Sequence, residues 1–191
     1  MMNAVESSPP PLRGARPWPL SLAAYHGLGE LGLIPQNAEL LHGFIYTKMP
    51  KSPFHSFLVQ FLLEALSRVL RAGYLLRSEQ PVTCLDSELE PDLAVVTGRK
   101  EDYRRDHPRT AELVIEVCVT SADYDRSKLS AYAAVGVREC WLILGPEKRV
   151  EVYRQPADGE FNETTIHGPN GKLCSQALPE FSLDLDALFA Q

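Results

Sequence analysis

The chain has 191 residues and a formal net charge of −6, with 45% hydrophobic and 23% charged residues. These values are ordinary for a folded domain and exclude a wholly disordered chain, a collagen and a disulfide-dense miniprotein. No apolar run approaches the roughly 20 residues of a membrane-spanning helix, and none at the N-terminus has signal-peptide length. We therefore expect a cytoplasmic protein without a membrane segment. Its acidity argues against passive long-range attraction to nucleic acid.

The N-terminal third begins with a leader and a short helix. Residues 1–19 contain five prolines and little apolar content, so they are expected to form a loose leader before one domain at residues 20–191. Apolar residues at helical spacing predict a helix over residues 21–33. Residues 39–49 follow as two extended pieces with a turn at Gly43 between them.

The strongest periodic signal lies in residues 53–72 and predicts a core helix that Gly73 ends. Its apolar residues follow the i, i+3, i+4, i+7 rule: Phe54, Phe57, Leu58, Phe61, Leu62, Ala65, Leu66, Val69 and Leu70.

The rest of the chain alternates short strands with one more helix. An amphipathic helix is predicted over residues 125–135, and a charged surface loop over residues 98–109. Strands are predicted over residues 74–78, 81–85, 92–97, 113–119, 139–144, 149–154 and 161–166, before a mixed tail at 173–189. This order predicts an α/β fold with a mixed central sheet.

Glu116 is the first candidate for chemistry because it is the only polar residue in an apolar strand sequence, Leu-Val-Ile-Glu-Val. A strand that is apolar throughout is covered on both faces. An ionised carboxylate there is costly unless it is paired or binds a metal. The alternative is a structural glutamate that an arginine or backbone donors satisfy.

Asp92 is the second candidate, because Pro91 fixes the backbone before it and a predicted strand follows it. The alternative is a turn aspartate that bonds nearby backbone. Lys128 is the third candidate. On a helix, Asp125, Lys128 and Tyr132 lie along one side, so Lys128 can point back towards the Glu116 strand. The alternative for Lys128 is a surface ion pair with Asp125.

Together these residues suggest metal-dependent phosphodiester chemistry. Two acidic side chains on neighbouring strands can hold Mg²⁺ through oxygen ligands and waters. The cation polarises a phosphodiester and helps to generate the attacking hydroxide, while a nearby lysine stabilises developing negative charge. No GxGxxG, P-loop, HExxH or GxSxG motif offers a competing site.

At these residues the sequence resembles the Uma-two family of endonucleases, within the PD-(D/E)XK restriction-endonuclease-like superfamily. The resemblance runs from about residue 20 to the C-terminus. Its short motifs are specific through their order and spacing: Glu39 with Gly43, His55, Glu79-Gln80-Pro81-Val82, Glu90-Pro91-Asp92-Leu93, Leu113-Val114-Ile115-Glu116-Val117, Tyr124-Asp125-Arg126 with Lys128, Tyr132, and Gly136-Val137-Arg138-Glu139-Cys140-Trp141.

The resemblance implies a restriction-endonuclease-like core, with Asp92 and Glu116 as metal ligands. The superfamily lysine normally lies two residues after the glutamate, where this chain has Cys118, and the resemblance identifies Lys128 as its migrated counterpart. Glu39 and His55 are implied to complete the site, although His55 could instead cap or buttress its helix.

The function expected from these residues is Mg²⁺-dependent (or Mn²⁺-dependent) hydrolysis of DNA phosphodiesters. The resemblance to nuclease domains, which often pair, implies a homodimer. Trp18 and Phe161 lie outside the periodic core patterns and are expected to be exposed, which agrees with a dimer surface. Two alternatives remain. One is a non-catalytic nuclease-fold protein that binds a partner, which the net charge and the missing lysine at Cys118 favour. The other is a metal-dependent phosphoesterase that acts on small nucleotides.

Overall fold

The computed structural model describes residues 16–190, which contain five α-helices, one 3₁₀ helix and twelve strands. The α-helices are α1 (Leu22–Glu30), α2 (Pro53–Val69), α3 (Ala122–Ser127), α4 (Leu129–Ala134) and α5 (Leu185–Phe189). The strands are β1 (Ala38–Leu41), β2 (Phe44–Thr47), β3 (Tyr74–Ser78), β4 (Val82–Thr83), β5 (Glu88–Leu89), β6 (Leu93–Thr97), β7 (Leu113–Cys118), β8 (Glu139–Leu144), β9 (Arg149–Ala157), β10 (Glu160–His167), β11 (Lys172–Cys174) and β12 (Ser182–Asp184).

The central sheet has six strands in the order β10-β9-β8-β7-β6-β3. Strands β7 and β8 run parallel, whereas the other neighbouring pairs run antiparallel, so the sheet is mixed as predicted. A smaller antiparallel sheet has the order β2-β1-β5-β4, and β11 pairs with β12. None of the helices in residues 16–190 has the length and apolar character needed to cross a membrane.

Helices cover both faces of the central sheet. On one face, Leu58 and Leu62 of α2 pack with Ile115 and Trp141. On the other face, Tyr132 of α4 packs in a second cluster that includes Val114, Leu142 and Leu41. Alternate residues of β7 enter the two clusters, which explains why its sequence is apolar on both faces. Glu116 lies on the same side of β7 as the residues of the second cluster, so its side chain lies on the face that carries α3, α4 and β1.

The helix predicted over residues 125–135 is wrong in its start and in its continuity. The structure begins α3 at Ala122 and separates it from α4 at Lys128. The Lys128 amide donates to the Asp125 carbonyl, a bond of 3.2 Å that spans three residues instead of four. The first turn of α3 has no apolar periodicity, because Asp123 is exposed to solvent. The start of this helix therefore leaves no pattern in the sequence.

The strand predicted over residues 81–85 shortens to β4, and β5 was not predicted. Two-residue strands are too short to show an alternating pattern, so pairing with neighbours defines them instead. The predicted loop at residues 98–109 contains the 3₁₀ helix, Lys100–Tyr103. The other predicted helices and strands are confirmed within a few residues.

The leader was predicted over residues 1–19, and its first fifteen residues lie outside the described residues. Residues 16–19 contain no helix or strand, but the segment is anchored where it meets the domain. The Leu20 amide donates to the Gly43 carbonyl at 2.8 Å. Gly43 has a φ of +79°, and a Cβ there would overlap Pro19. The turn between β1 and β2 therefore requires glycine.

Candidate metal centre and active site

Asp92 and Glu116 are brought together by the antiparallel pairing of β6 and β7, in which Leu93 is opposite Ile115. The two residues exchange contacts across the strands. The Val117 amide donates to Asp92 Oδ2 at 2.8 Å, and the Asp92 amide lies 3.4 Å from Glu116 Oε2. Both residues are buried. Asp92 is therefore not a turn aspartate that bonds only its neighbours, since its carboxylate accepts from the next strand.

Lys128 is buried among carboxylates, so its interpretation as a surface ion pair is wrong. Its side chain is 4% exposed, and Nζ lies 3.0 Å from Asp125, 3.2 Å from Glu39 and 3.3 Å from Glu116. The lysine reaches these groups because it lies where α3 meets α4, directly above β7. One ammonium group therefore serves three carboxylates, which come from β1, β7 and α3.

Glu39 joins the small sheet to this site. It is fully buried in β1, and its two oxygens have separate partners. Oε1 accepts from the Tyr124 hydroxyl at 2.7 Å, and Oε2 accepts from the Glu90 amide at 2.9 Å. The structure thus brings Glu39 into the cluster with Lys128. Asp92 does not contact Glu39 directly.

His55 lies in the first turn of α2, and its side chain faces the site. The cap of this helix is Ser52, whose hydroxyl accepts from the His55 amide at 3.1 Å. The imidazole Nε2 lies 3.2 Å from Asp92 Oδ2, whereas Nδ1 is buried without a hydrogen-bond partner among the described residues. The side chain of His55 therefore buttresses Asp92, and the capping role belongs to Ser52.

Three further residues contact the site and were not among the candidates predicted from the sequence. Tyr132 donates from its hydroxyl to Glu116 Oε1 at 2.7 Å, and Tyr124 holds Glu39. Lys51 Nζ lies 3.7 Å from Asp92 Oδ1 and also pairs with Glu79. Tyr132 lies four residues after Lys128 on the same side, and that spacing was the available signal. No sequence pattern distinguishes Lys51.

The two candidate ligands have opposite pKa shifts. Burial raises the pKa of Glu116 to about 8, opposed by Lys128 and reinforced by the charges of Asp125, Asp92 and Glu39. Burial also raises the pKa of Asp92, but the hydrogen bond and charge of His55, the Val117 amide and Lys51 outweigh it. The net pKa of Asp92 is therefore lowered, so Asp92 stays ionised beside a glutamate that holds a proton more tightly.

The raised pKa of Glu116 predicts a pH effect on stability. The unfolded side chain ionises near 4.5, whereas the folded one retains its proton up to about 8. Folding therefore binds a proton in this window. We expect the contribution of Glu116 to stability to be complete below pH 4.5 and to fall as pH rises towards 8, by up to about 1.4 kcal/mol per pH unit.

Urea unfolding at pH 5 to 8.5 measures this effect as the difference between wild type and Glu116→Gln. The matched control is Glu151→Gln, because Arg126 lowers the pKa of Glu151. The control difference should stay flat across this range. A flat difference for Glu116→Gln as well would contradict the prediction.

The donor set fits a hard divalent cation. Asp92 Oδ1 accepts no hydrogen bond from the described residues, and Glu116 Oε2 has only the long contact with the Asp92 amide. Each carboxylate thus has an oxygen with free lone pairs. Across residues 16–190 no three His, Cys, Asp or Glu side chains are grouped to hold a metal alone. Two carboxylates with waters or substrate oxygens match the usual coordination of Mg²⁺.

The mixed α/β fold and the buried carboxylate pair agree with the restriction-endonuclease-like core that the resemblance implies. The family model of Uma2, described as "Putative restriction endonuclease", matches residues 33–186. The chain therefore belongs to the Uma2 family, as its resemblance to the Uma-two endonucleases predicted.

Comparison with solved structures supports the same fold. The chain is similar to the crystal structure of a "putative nuclease belonging to DUF820" from Anabaena variabilis ATCC 29413, with a TM-score of 0.70 and 21% sequence identity. The match covers 85% of this chain and 97% of that one. No curated protein matches the chain.

Proposed function

We propose that the protein is a Mg²⁺-dependent or Mn²⁺-dependent endonuclease that hydrolyses phosphodiester bonds in DNA. The observation that carries the proposal is the pair of buried carboxylates, Asp92 directly before β6 and Glu116 in the neighbouring strand β7, with the buried ammonium group of Lys128 beside Glu116. Membership of the Uma2 family supports the reaction class. The free cysteines Cys84, Cys118 and Cys140 are buried, which suits the reducing cytoplasm that we propose as its compartment.

The proposed roles follow from which oxygen each group contacts. Asp92 Oδ1 and Glu116 Oε2 would hold the cation, which supplies Lewis-acid activation of the phosphodiester and of water. Glu116 Oε1 is turned away from Asp92, towards Tyr132 and Lys128. The ammonium group of Lys128 would orient the attacking water or stabilise developing negative charge. Glu39 would assist as an additional acid or ligand, and His55 would hold Asp92 in place.

The structure weakens one argument for a non-catalytic binding protein. That alternative rested partly on Cys118, which occupies the usual place of the superfamily lysine. Because Lys128 Nζ lies 3.3 Å from Glu116 Oε1, the chain does place an ammonium group beside the glutamate. The net charge of −6 still favours the alternative.

A cleavage assay separates the three functions. Supercoiled plasmid, single-stranded DNA and a small phosphodiester would each be incubated with the full chain in Mg²⁺, Mn²⁺ or EDTA. We expect metal-dependent nicking of DNA that Glu116→Gln abolishes and Glu151→Gln retains. Cleavage of the small diester alone would identify the phosphoesterase. Failure of Mg²⁺ and Mn²⁺ to bind would favour the interaction protein.

We also propose that the protein forms a homodimer. Trp18 is 89% exposed, which confirms the exposure expected for it from the sequence. The other expectation is wrong, since Phe161 is partly buried and packs with Tyr153. Light scattering should give twice the monomer mass of 21.3 kDa, and Trp18→Ser should shift the equilibrium towards monomer. A mass near 21.3 kDa at high protein concentration would contradict the proposal.

A further inference from the structure

Arg77 is a buried cation without a carboxylate partner among the described residues. It lies in β3 and is only 5% exposed. Its Nη2 makes two long contacts, 3.4 Å to the Pro81 carbonyl and 3.3 Å to His107 Nδ1, while Nε has no partner. A guanidinium group has five N–H donors. Burying a charge without a partner is costly, and burial accordingly lowers the pKa of Arg77. The side chain retains capacity to bind an anion.

The position of Arg77 in the sheet places it beside the proposed metal centre. Arg77 is opposite Ala94 in the β3–β6 pairing. Asp92 lies two residues before Ala94, directly before β6, and its carboxylate contacts His55 and the Val117 amide at that end of the sheet. The pairing continues to that point, because the Glu79 amide donates to the Asp92 carbonyl at 3.1 Å. Diagonal neighbours of this kind have Cα atoms about 7–8 Å apart, so the backbone of Arg77 lies close to that of Asp92.

The segment that covers Arg77 has a local excess of basic residues within an acidic chain. We call residues 98–109 the basic segment, because it contains five basic and three acidic residues. The Tyr103 ring lies 5.5 Å from the Arg77 guanidinium carbon, and His107 contacts it. Arg104, Arg105 and Arg109 are exposed, and none of them has an ion pair within residues 16–190. Unpaired arginines clustered on one side of a protein form the usual footprint of a phosphate backbone.

We propose that Arg77, together with Arg104 and Arg105 of the basic segment, binds the phosphate backbone of DNA beside the metal centre. The inference rests on the proposed endonuclease function and names the surface that holds its substrate. Arginine suits this role because its planar fork donates two parallel hydrogen bonds to a phosphate. An acidic chain needs such a local surface, since its overall charge repels DNA.

Salt-dependent binding of DNA tests the proposal. A fluorescent duplex would be titrated in Ca²⁺ with wild type, Arg77→Met and the double variant Arg104→Ala/Arg105→Ala, with electrophoresis to check that the duplex stays intact. The matched control is Arg68→Ala/Arg71→Ala, two exposed arginines in and just after α2, which covers the opposite face. Loss of two phosphate contacts should reduce the slope of log K against log salt by about 1.8. We expect affinity to fall at least about tenfold in both test variants, and not in the control.

A second probe, inorganic phosphate, separates this proposal from the endonuclease function. The side-chain nitrogen NMR signals of His107 should shift saturably with phosphate in wild type and not in Arg77→Met. That result supports the anion site even if the protein neither binds nor cuts DNA, in which case only the endonuclease function fails. If wild type cleaves DNA while both test variants bind it with wild-type affinity and salt slope, the proposal is overturned and the endonuclease function stands. If Arg77→Met does not fold, the exposed double variant decides.

Discussion

Asp92→Asn and Glu116→Gln are each expected to weaken Mn²⁺ binding at least about a hundredfold, while the protein stays folded. Loss of a group that only orients a metal ligand lowers metal affinity about 10–100-fold. Loss of one of two charged ligands should therefore lower it at least about 100-fold. Each variant keeps the shape of the side chain and removes its capacity to carry a negative charge. The two oxygens with free lone pairs belong to these residues, of which Asp92 directly precedes β6 and Glu116 lies in β7.

The stability of the metal-free protein should respond differently to the two changes. From sequence alone, both replacements are expected to stabilise it, since close like charges repel without an ion. The structure predicts different effects on stability for the two replacements. Asp92 accepts from Val117 and contacts His55, so Asp92→Asn should cost about 1–3 kcal/mol. Glu116 has a raised pKa, so Glu116→Gln should be close to neutral at pH 7 and stabilising above pH 8.

Calorimetry with Mn²⁺ measures the first effect, and urea unfolding measures the second. The control is Glu151→Gln, which also replaces a carboxylate with an amide. Glu151 pairs with Arg126 and does not contact Asp92 or Glu116. The control should leave Mn²⁺ affinity unchanged. If both Asp92→Asn and Glu116→Gln bind Mn²⁺ with wild-type affinity, this pair is not the metal site.

The acidic pair could be predicted because its sequence signal is local. Glu116 interrupts an apolar strand, and a charge in such a place needs a partner or an ion. Asp92 follows a proline at the start of a strand. The pairing of β6 with β7 then brings the two together, and neighbouring strands commonly pair in this way. The α/β class and the long helix α2 were predictable for the same reason, since periodicity records burial.

The partners of the pair could not be predicted from local patterns. The hydroxyl of Tyr124 contacts Glu39 across 85 residues of sequence, and nothing near either residue marks the contact. Helical spacing made Lys128 a candidate that could reach the Glu116 strand, but the same spacing also fitted a surface pair with Asp125. Its burial depends on a carboxylate from β1, which reaches the site only when the small sheet packs against the central one.

The same reasoning explains why Arg77 was missed. In sequence it is one charged residue at the end of a short strand, followed by further polar residues. Its significance depends on His107 and Tyr103, which fold over it from a segment that was correctly predicted to be a charged loop. Sequence patterns identify charged loops readily, but they do not indicate which buried group a loop covers.

Lys128→Met is expected to reduce any Mg²⁺-dependent cleavage at least about a hundredfold. Loss of one preorganised electrostatic group in a water-poor site commonly costs about 10²–10³ in rate. Methionine preserves most of the apolar stem and removes the charge. The side chain of Lys128 is 4% exposed, and its Nζ also lies 4.9 Å from the Tyr124 ring centroid, so solvent cannot replace the lost ammonium group.

The structure also predicts a loss of stability that a surface lysine would not cause. Lys128 is the shared counter-ion of Glu39, Glu116 and Asp125. Removal of one member of a buried ion pair typically costs about 3–5 kcal/mol, because the remaining charge is uncompensated. Burial raises the pKa of Glu116 to about 8, so its protonation relieves part of this repulsion, and the loss should be smaller at pH 5 than at pH 8.

Activity must therefore be compared between folded proteins. Cleavage would be measured below the unfolding temperature of the variant, with circular dichroism to establish the folded fraction. Lys128→Arg retains the charge and should keep more of both stability and activity than Lys128→Met. Lys172→Met, at an exposed position in β11, should change neither. If wild type cleaves DNA and folded Lys128→Met cleaves within about threefold of it, then Lys128 serves only to neutralise the three carboxylates, because an effect that small falls far below the loss expected of an electrostatic catalyst.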